Sequence, residues 1–305
     1  MSMPPSTDST RATAGEGPCP VVSVVVPVYR DWDRVPDLLR ALRRQSLDGG
    51  RFEVLLVDNG SPAIPHLPDM PFSRRVLRCA EPGSYAARNA GIGAARGAVL
   101  AFTDADCRPG RNWLRGGLAC LDRADDGVIV AGAVRMAARP AGERTAAELY
   151  DAVMGLPQAR YVRRGYGVTA NLLVPRSIVD QVGPFSPGRF SGGDAEFCRR
   201  AGRAGFGVVY CPGAVVQHPA RRDFAELAGK ARRLKGGQLR AGPLWRRLAW
   251  VVRTGLPPVR AWRRALVARD WSWPERLIVC RVQSRLWAVE VLEMLRLLLG
   301  GAPRR

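Results

Sequence analysis

Between residues 21 and 134, short apolar runs alternate with stretches of helical period, and this alternation constrains the fold more than any other feature. Residues 22–28 form a near-continuous β-branched run, the pattern of a strand covered on both faces. Residues 36–45 then set Leu38, Leu39 and Leu42 on one side and Arg40, Arg43 and Arg44 on the other, which is the spacing of an amphipathic crossover helix. A second strand is predicted over residues 53–57, ending at Asp58-Asn59-Gly60-Ser61, and a third over 75–79 after a Pro-rich loop. Residues 84–96 are rich in Ala and Gly, which suits a helix lying close to a sheet or a ligand. Residues 97–103 read as another buried strand, 111–123 as a helix and 128–134 as a strand. Such a βαβ succession implies a buried parallel sheet between helices, an α/β fold.

Beyond residue 134 the alternation weakens. Strands are predicted at 168–174 and 206–210, a helix from about Gly193, and a basic helix over 222–236. From residue 241 onward the character changes, with 13 Arg against 4 acidic residues and six of the eight Trp. The expected organisation is therefore a Ser/Thr/Pro/Gly-rich disordered tail over 1–20, a main domain over 21–240, and a basic Trp/Arg-rich helical segment over 241–305.

The net charge of +20 should draw phosphates, whether on small molecules, nucleic acid or lipid headgroups. No nucleic-acid module accompanies the charge, which argues against that partner. Arg or Glu interrupts even the greasiest stretch, 277–299, so no spanning helix is expected. The first 20 residues lack the apolar run of a secretory signal. A cytosolic protein is expected, free or attached to the membrane from its inner face. Seven scattered cysteines without a CxxC pair fit reduced thiols and speak against a zinc site. Pairs such as Trp245-Arg246 and Trp262-Arg263 suit the boundary of an anionic membrane, or equally a helical subdomain packed on the main domain.

In open α/β sheets, ligands sit outside the carboxyl ends of the strands. Three polar clusters fall there: Pro27-Val28-Tyr29, Asp58-Asn59 and Asp104-Ala105-Asp106. The last follows a wholly apolar strand, so its two carboxylates stand at an exposed end, as cation ligands or as turn acids capping the next helix. A hard cation held by few carboxylates can neutralise a departing diphosphate.

These segments resemble family 2 glycosyltransferases over residues 21–237. The run from Val22 to Tyr29 resembles the family's opening strand, and Leu55-Leu56-Val57-Asp58-Asn59-Gly60-Ser61 its second. Gly83-Ser84-Tyr85-Ala86-Ala87-Arg88-Asn89-Ala90-Gly91 is similar to its donor-side helix. The resemblance implies a GT-A fold, a mixed sheet flanked by helices, with inverting transfer from a nucleotide-sugar donor. It places Pro27 and Tyr29 at the base, Asp58 as acceptor of a hydrogen bond from the base, Asp104 near the ribose, and Arg88 at the diphosphate. Asp106 would bind Mg²⁺ or Mn²⁺, with His218 as a further ligand. Duller readings stand beside these: Tyr29 as core packing, Asp58 as a turn residue, Arg88 as a surface arginine, His218 as a hydrogen-bonded loop residue.

Ser191-Gly192-Gly193-Asp194-Ala195-Glu196-Phe197 is similar to the family's base-bearing segment, in which a Glu-Asp pair opens a helix. This chain has Gly193 where the first acid usually stands, so the role of general base falls to Asp194, with Glu196 positioning the loop or the acceptor. Asn171 resembles an acceptor-side position, though a structural hydrogen bond fits it as well. No Gln-x-x-Arg-Trp motif is present, which favours single additions to a glycan or lipid-linked acceptor in the cell envelope. Three rivals are weaker. A nucleotidyltransferase would show a Gly-rich basic loop after the first strand, and a diguanylate cyclase keeps adjacent the two acids that Ala195 separates here. A degenerate membrane-associated scaffold is favoured only by Gly193.

Overall fold

The computed structural model describes residues 19–124, 127–140, 142–240 and 243–303. Residues 1–18 of the expected tail lie outside the described residues, as do residues 241 and 242 at the expected boundary.

The chain opens with β1 (Val22–Val28), α1 (Val35–Arg43), β2 (Phe52–Asp58), β3 (Ser73–Arg78), α2 (Ser84–Ala94) and β4 (Val99–Phe102). It continues with β5 (Arg108–Pro109), α3 (Trp113–Asp122), β6 (Val128–Ala137), α4 (Ala146–Met154), α5 (Gln158–Val162), β7 (Leu172–Pro175) and α6 (Arg176–Val182). Then come α7 (Gly193–Arg203), β8 (Gly207–Pro219), α8 (Phe224–Arg240), α9 (Leu244–Gly255), α10 (Val259–Leu266) and α11 (Trp273–Leu298).

One mixed sheet runs in the order β3-β2-β1-β4-β7-β6-β8-β5. The strands β1 to β4 are mutually parallel; β2 is buried throughout and β1 and β4 nearly so, as suits strands covered on both faces, while β3 is the partly exposed edge. Val22, Val24, Val26 and Val28 pack on one face with α1 and α3, and Val25 on the other with Tyr85 and Ile92 of α2. The Ala/Gly composition of α2 has a steric cause: a Cβ on Gly91 would lie 2.4 Å from Val25 Cγ1, so the helix rests directly on β1.

Three expectations need correction. First, β6 does not extend the parallel set: β7 inserts between β4 and β6, antiparallel to both. Second, the strand expected at 168–174 begins only at Leu172, because Thr169–Asn171 close a 3-10 turn whose backbone is held by Gln158. Third, the strand expected at 206–210 runs on to Pro219, passing a register shift opposite Gly132/Ala133, so His218 lies inside β8 instead of in a loop after it.

Because the chain visits β2 and β3 on one side of β1 and then returns to β4 on the other, the strand order reverses at β1. The carboxyl ends of β1, β2 and β4 therefore open a crevice there. The C-terminal helices pack on the same unit: Leu227 and Ala231 of α8 meet Val282 and Leu286 of α11 and Ala147 of α4 in one apolar cluster.

Candidate active site

Asp104 and Asp106 follow β4 and turn back through β5, whose Arg108 pairs antiparallel with Gln217 of β8. That two-residue pairing delivers the acidic loop to His218. Ligand atoms of Asp104, Asp106, Cys107 and His218 all lie within 4.8 Å of one another. His218 Nε2 stands 3.8 Å from Asp106 Oδ2, and its Nδ1 is 2.9 Å from the Pro219 carbonyl. A proton on Nδ1 donated to that carbonyl leaves the Nε2 lone pair facing Asp106.

Burial, and then the charge of Asp104, push the Asp106 carboxyl above its ordinary value, against the pull of His218 and Arg34. A carboxylate in that condition gains from a nearby cation. Cys107 is fully buried, and burial pushes its thiol well up. It stays protonated and is a poor partner for a hard cation, so the usable donors are two carboxylates and one imidazole. That set fits Mg²⁺ or Mn²⁺ with positions left for phosphate oxygens.

Arg88, only 4% exposed, donates to Asp104 Oδ1 at 2.6 Å, and its Nε–H is buried without a partner. It is therefore not a surface arginine. Its guanidinium also lies 5.6 Å from the centre of the Tyr85 ring. Tyr85 in turn donates to Asp194 Oδ1 at 3.4 Å, while its hydroxyl accepts from the Gly193 backbone at 2.8 Å. Asp104, Arg88, Tyr85 and Asp194 thus form one chain of contacts from the acidic loop to the start of α7.

The glycine at 193 follows from that chain. A Cβ there would lie 2.7 Å from the Tyr85 ring, so the aromatic side chain occupies the space in which an acid at 193 would begin. Burial raises the Asp194 pKa, and the Ala195 backbone N–H, the charge of Arg88 and the Tyr85 hydroxyl only partly offset it. A raised carboxylate pKa brings the group nearer to that of a useful proton acceptor.

The other sequence candidates divide. Tyr29 is 54% exposed at the crevice with Arg30 over its ring, so it is not core packing, and Pro27 lies beside it in β1. Arg30 holds a left-handed φ of 59°, and its N–H donates to Ser61 Oγ at 2.9 Å, joining the ends of β1 and β2. Asp58 is buried and accepts from Trp32 Nε1 at 2.9 Å and from the Gly60 and Ser61 backbone. Burial pushes its pKa up, but the bonds from Ser61 and Trp32 outweigh this and hold it low. Its carboxylate shapes the turn, and both oxygens already have donors.

Glu196 accepts from Ser186 Oγ at 3.0 Å and from Arg200 Nε at 3.2 Å, which ties the loop before α7. Asn171 is fully buried, and its amide is spent on Trp113 Nε1 and the carbonyls of Ala133 and Ala214. It holds β7, β6 and β8 together and presents nothing to the crevice. Tyr85, Trp32 and Arg34 were missed as site residues. Tyr85 stands inside the helix motif of residues 83–91, but only its contact with Gly193 reveals what it does.

Residues 23–192 match the family model described as Glycosyl transferase family 2. The chain is 36% identical over 227 residues to glycosyltransferase AglE of Haloferax volcanii, covering 72% of this chain and 73% of that protein. It is 28% identical over 223 residues to the pre-mycofactocin glycosyltransferase of Mycobacterium tuberculosis, covering 69% of this chain and 45% of that protein. Among solved structures it resembles the mannosyltransferase PcManGT of Pyrobaculum calidifontis, in complex with GDP-Man and Mn²⁺, with a TM-score of 0.58 at 18% identity over 90% of this chain and 87% of that one. It also resembles S. aureus TarS 1-349, with a TM-score of 0.50 at 15% identity over 92% of this chain and 91% of that one. These likenesses mark the sheet and its helices as the GT-A fold.

Proposed function

The chain belongs to glycosyl transferase family 2 and is a glycosyltransferase, and from that premise we propose that it moves a single sugar from a nucleotide-sugar donor to an acceptor hydroxyl with inversion. The observation that carries this reading is the pairing of two sites across Arg88 and Tyr85: a cluster of ligands at Asp104, Asp106 and His218, and a carboxylate with a raised pKa at Asp194.

On this reading Tyr29 and Pro27 border the base, and Arg88 faces the diphosphate. The buried Nε–H of Arg88 has no partner in the protein, and a phosphate oxygen would satisfy it. Asp106 and His218, with Asp104 beside them, are the residues that would hold Mg²⁺ or Mn²⁺. When bound, such a cation neutralises charge gathering on the leaving diphosphate. Asp194 takes the proton from the acceptor hydroxyl, which attacks the anomeric carbon from the face opposite the nucleotide. Its Oδ1 is held by Tyr85 and the Ala195 backbone, so the carboxylate is oriented before the acceptor arrives. The acceptor on this reading is a glycan or a lipid-linked acceptor.

Replacement of the base tests the assignment. Asp194→Asn keeps the shape and removes the proton acceptor, so turnover should fall by about 10²- to 10⁴-fold while calorimetry finds donor affinity nearly unchanged. Undiminished turnover would remove Asp194 from the mechanism.

A further inference from the structure

The helix α9 leaves most of its apolar surface uncovered, and Thr254 is its one buried residue. Its polar Thr254 is buried against the protein, where its hydroxyl accepts from Lys235 Nζ at 3.0 Å and its carbonyl from the Trp287 indole at 2.8 Å. Lys235 also pairs with Glu290 at 2.9 Å, which fixes this polar seat. Trp250 and Val251 are half-buried, but four apolar residues point outward: Leu244, Leu248 and Val252 are 70%, 56% and 65% exposed, and Trp245 is 71% exposed. Four residues apart, the three aliphatic side chains form one stripe along the helix. Val259 and Val267 at the two ends of α10 are exposed as well, with Arg260 and Arg263 exposed between them in the chain. Single exposed apolar residues are ordinary, but a continuous stripe marks a contact surface.

Charge identifies what covers it. Arg246 of α9 lies near Arg199 and Arg203 of α7 and Arg189 of the preceding loop. Burial and then these three like charges lower its pKa. None of the four arginines has an ion-pair partner among the described residues. A protein partner would need carboxylates aligned beside an apolar groove. An anionic bilayer presents phosphates directly above acyl chains over any area, and Trp sits favourably at that boundary. No helix among the described residues is long and apolar enough to cross a membrane, so the contact lies in the plane of the surface.

We propose that α9 docks flat on an anionic lipid surface, with Leu244, Trp245, Leu248 and Val252 among the acyl chains and Arg189, Arg199, Arg203 and Arg246 on the phosphates. The docking stands on this surface alone. That it brings Asp194, at the start of α7, to a lipid-linked acceptor rests on the function proposed above.

Flotation of the full-length protein with vesicles tests this. The protein should float with equimolar phosphatidylcholine and phosphatidylglycerol at low salt and not with phosphatidylcholine alone. L248E with V252E should weaken flotation by about a hundredfold or more, while R203Q and R246Q should each weaken it about fivefold. Donor affinity should be unchanged in L248E/V252E, which separates this proposal from the transfer chemistry. Should the glutamates disturb folding, W245S with L248S reads the same surface. Absence of flotation with the anionic vesicles overturns the proposal, as does flotation indifferent to the stripe. A defined oligomer that L248E/V252E disperses, with no vesicle binding, would show that a second copy covers the face and would overturn it too.

Discussion

Glu53, at the amino end of β2, and the acid pair that follows β4 use their carboxylates in opposite ways. At the amino ends of the strands, Glu53 is fully buried and saturated: it accepts from Ser23 Oγ at 2.7 Å, Arg96 N at 2.7 Å, Arg75 at 2.9 Å and Arg96 Nε at 3.2 Å. Burial raises its pKa, but the bonds from the Arg96 backbone, Ser23 and Arg75 outweigh this and hold it below the usual range. At the carboxyl ends, the side chains of Asp104 and Asp106 remain 32% and 23% exposed, and their partners satisfy only part of their capacity. A carboxylate with every lone pair engaged locks strands together. One with lone pairs to spare can meet a ligand, and the cost is a raised pKa, as at Asp106.

The sharpest break of this comparison is Asp106→Ala. Mn²⁺-dependent donor binding and turnover should be abolished, while the melting temperature changes little, because burial already disfavours the charge. Calorimetry with Mn²⁺ and a nucleotide-sugar decides it, and parental binding by the variant would undo the metal assignment.

Glu53→Ala should do the reverse. Stability should drop by about 3 kcal/mol in chemical denaturation, since Ser23 and the Arg96 backbone N–H are left buried without their acceptor. Metal binding should persist. The contribution of Glu53 carries a sign: with its folded pKa depressed, it is fully present above the ordinary glutamate value and is lost as pH falls through the folded value. Acid unfolding of the parent should therefore be steeper than that of the variant.

The smallest effect concerns Tyr85. Its hydroxyl stabilises charged Asp194, so Tyr85→Phe should raise the Asp194 pKa further and move the acid limb of the turnover profile to higher pH. In the parent, turnover should already fall at a pH above the ordinary aspartate range, because the base is lost as pH drops through a raised pKa. A Tyr85→Phe profile superimposable on the parent's would remove Tyr85 from the positioning of the base.

Much of the fold was legible because each β-branched run and each amphipathic turn carries its own period. Val22–Val28 and the Leu38, Leu39 and Leu42 face needed no distant partner to be recognised. The stretch after residue 134 was less legible: α5 and α6 are short, and the length of β8 depends on pairing with β6 across a register shift. At the site, the acidic pair after β4 could be read from its position. The exclusion of Asn171 from the crevice could not, since its partners Trp113, Ala133 and Ala214 are far away in the chain.

Local pattern thus determined the buried strands before residue 134 and the carboxylates at their ends, because side-chain period is a property of neighbours in sequence. Tertiary structure alone decided that His218 meets Asp106, that Tyr85 forces a glycine at 193, and that α9 turns its leucines outward. Each of these depends on contact between segments distant in the chain, set by strand order and helix packing that no short stretch of residues encodes.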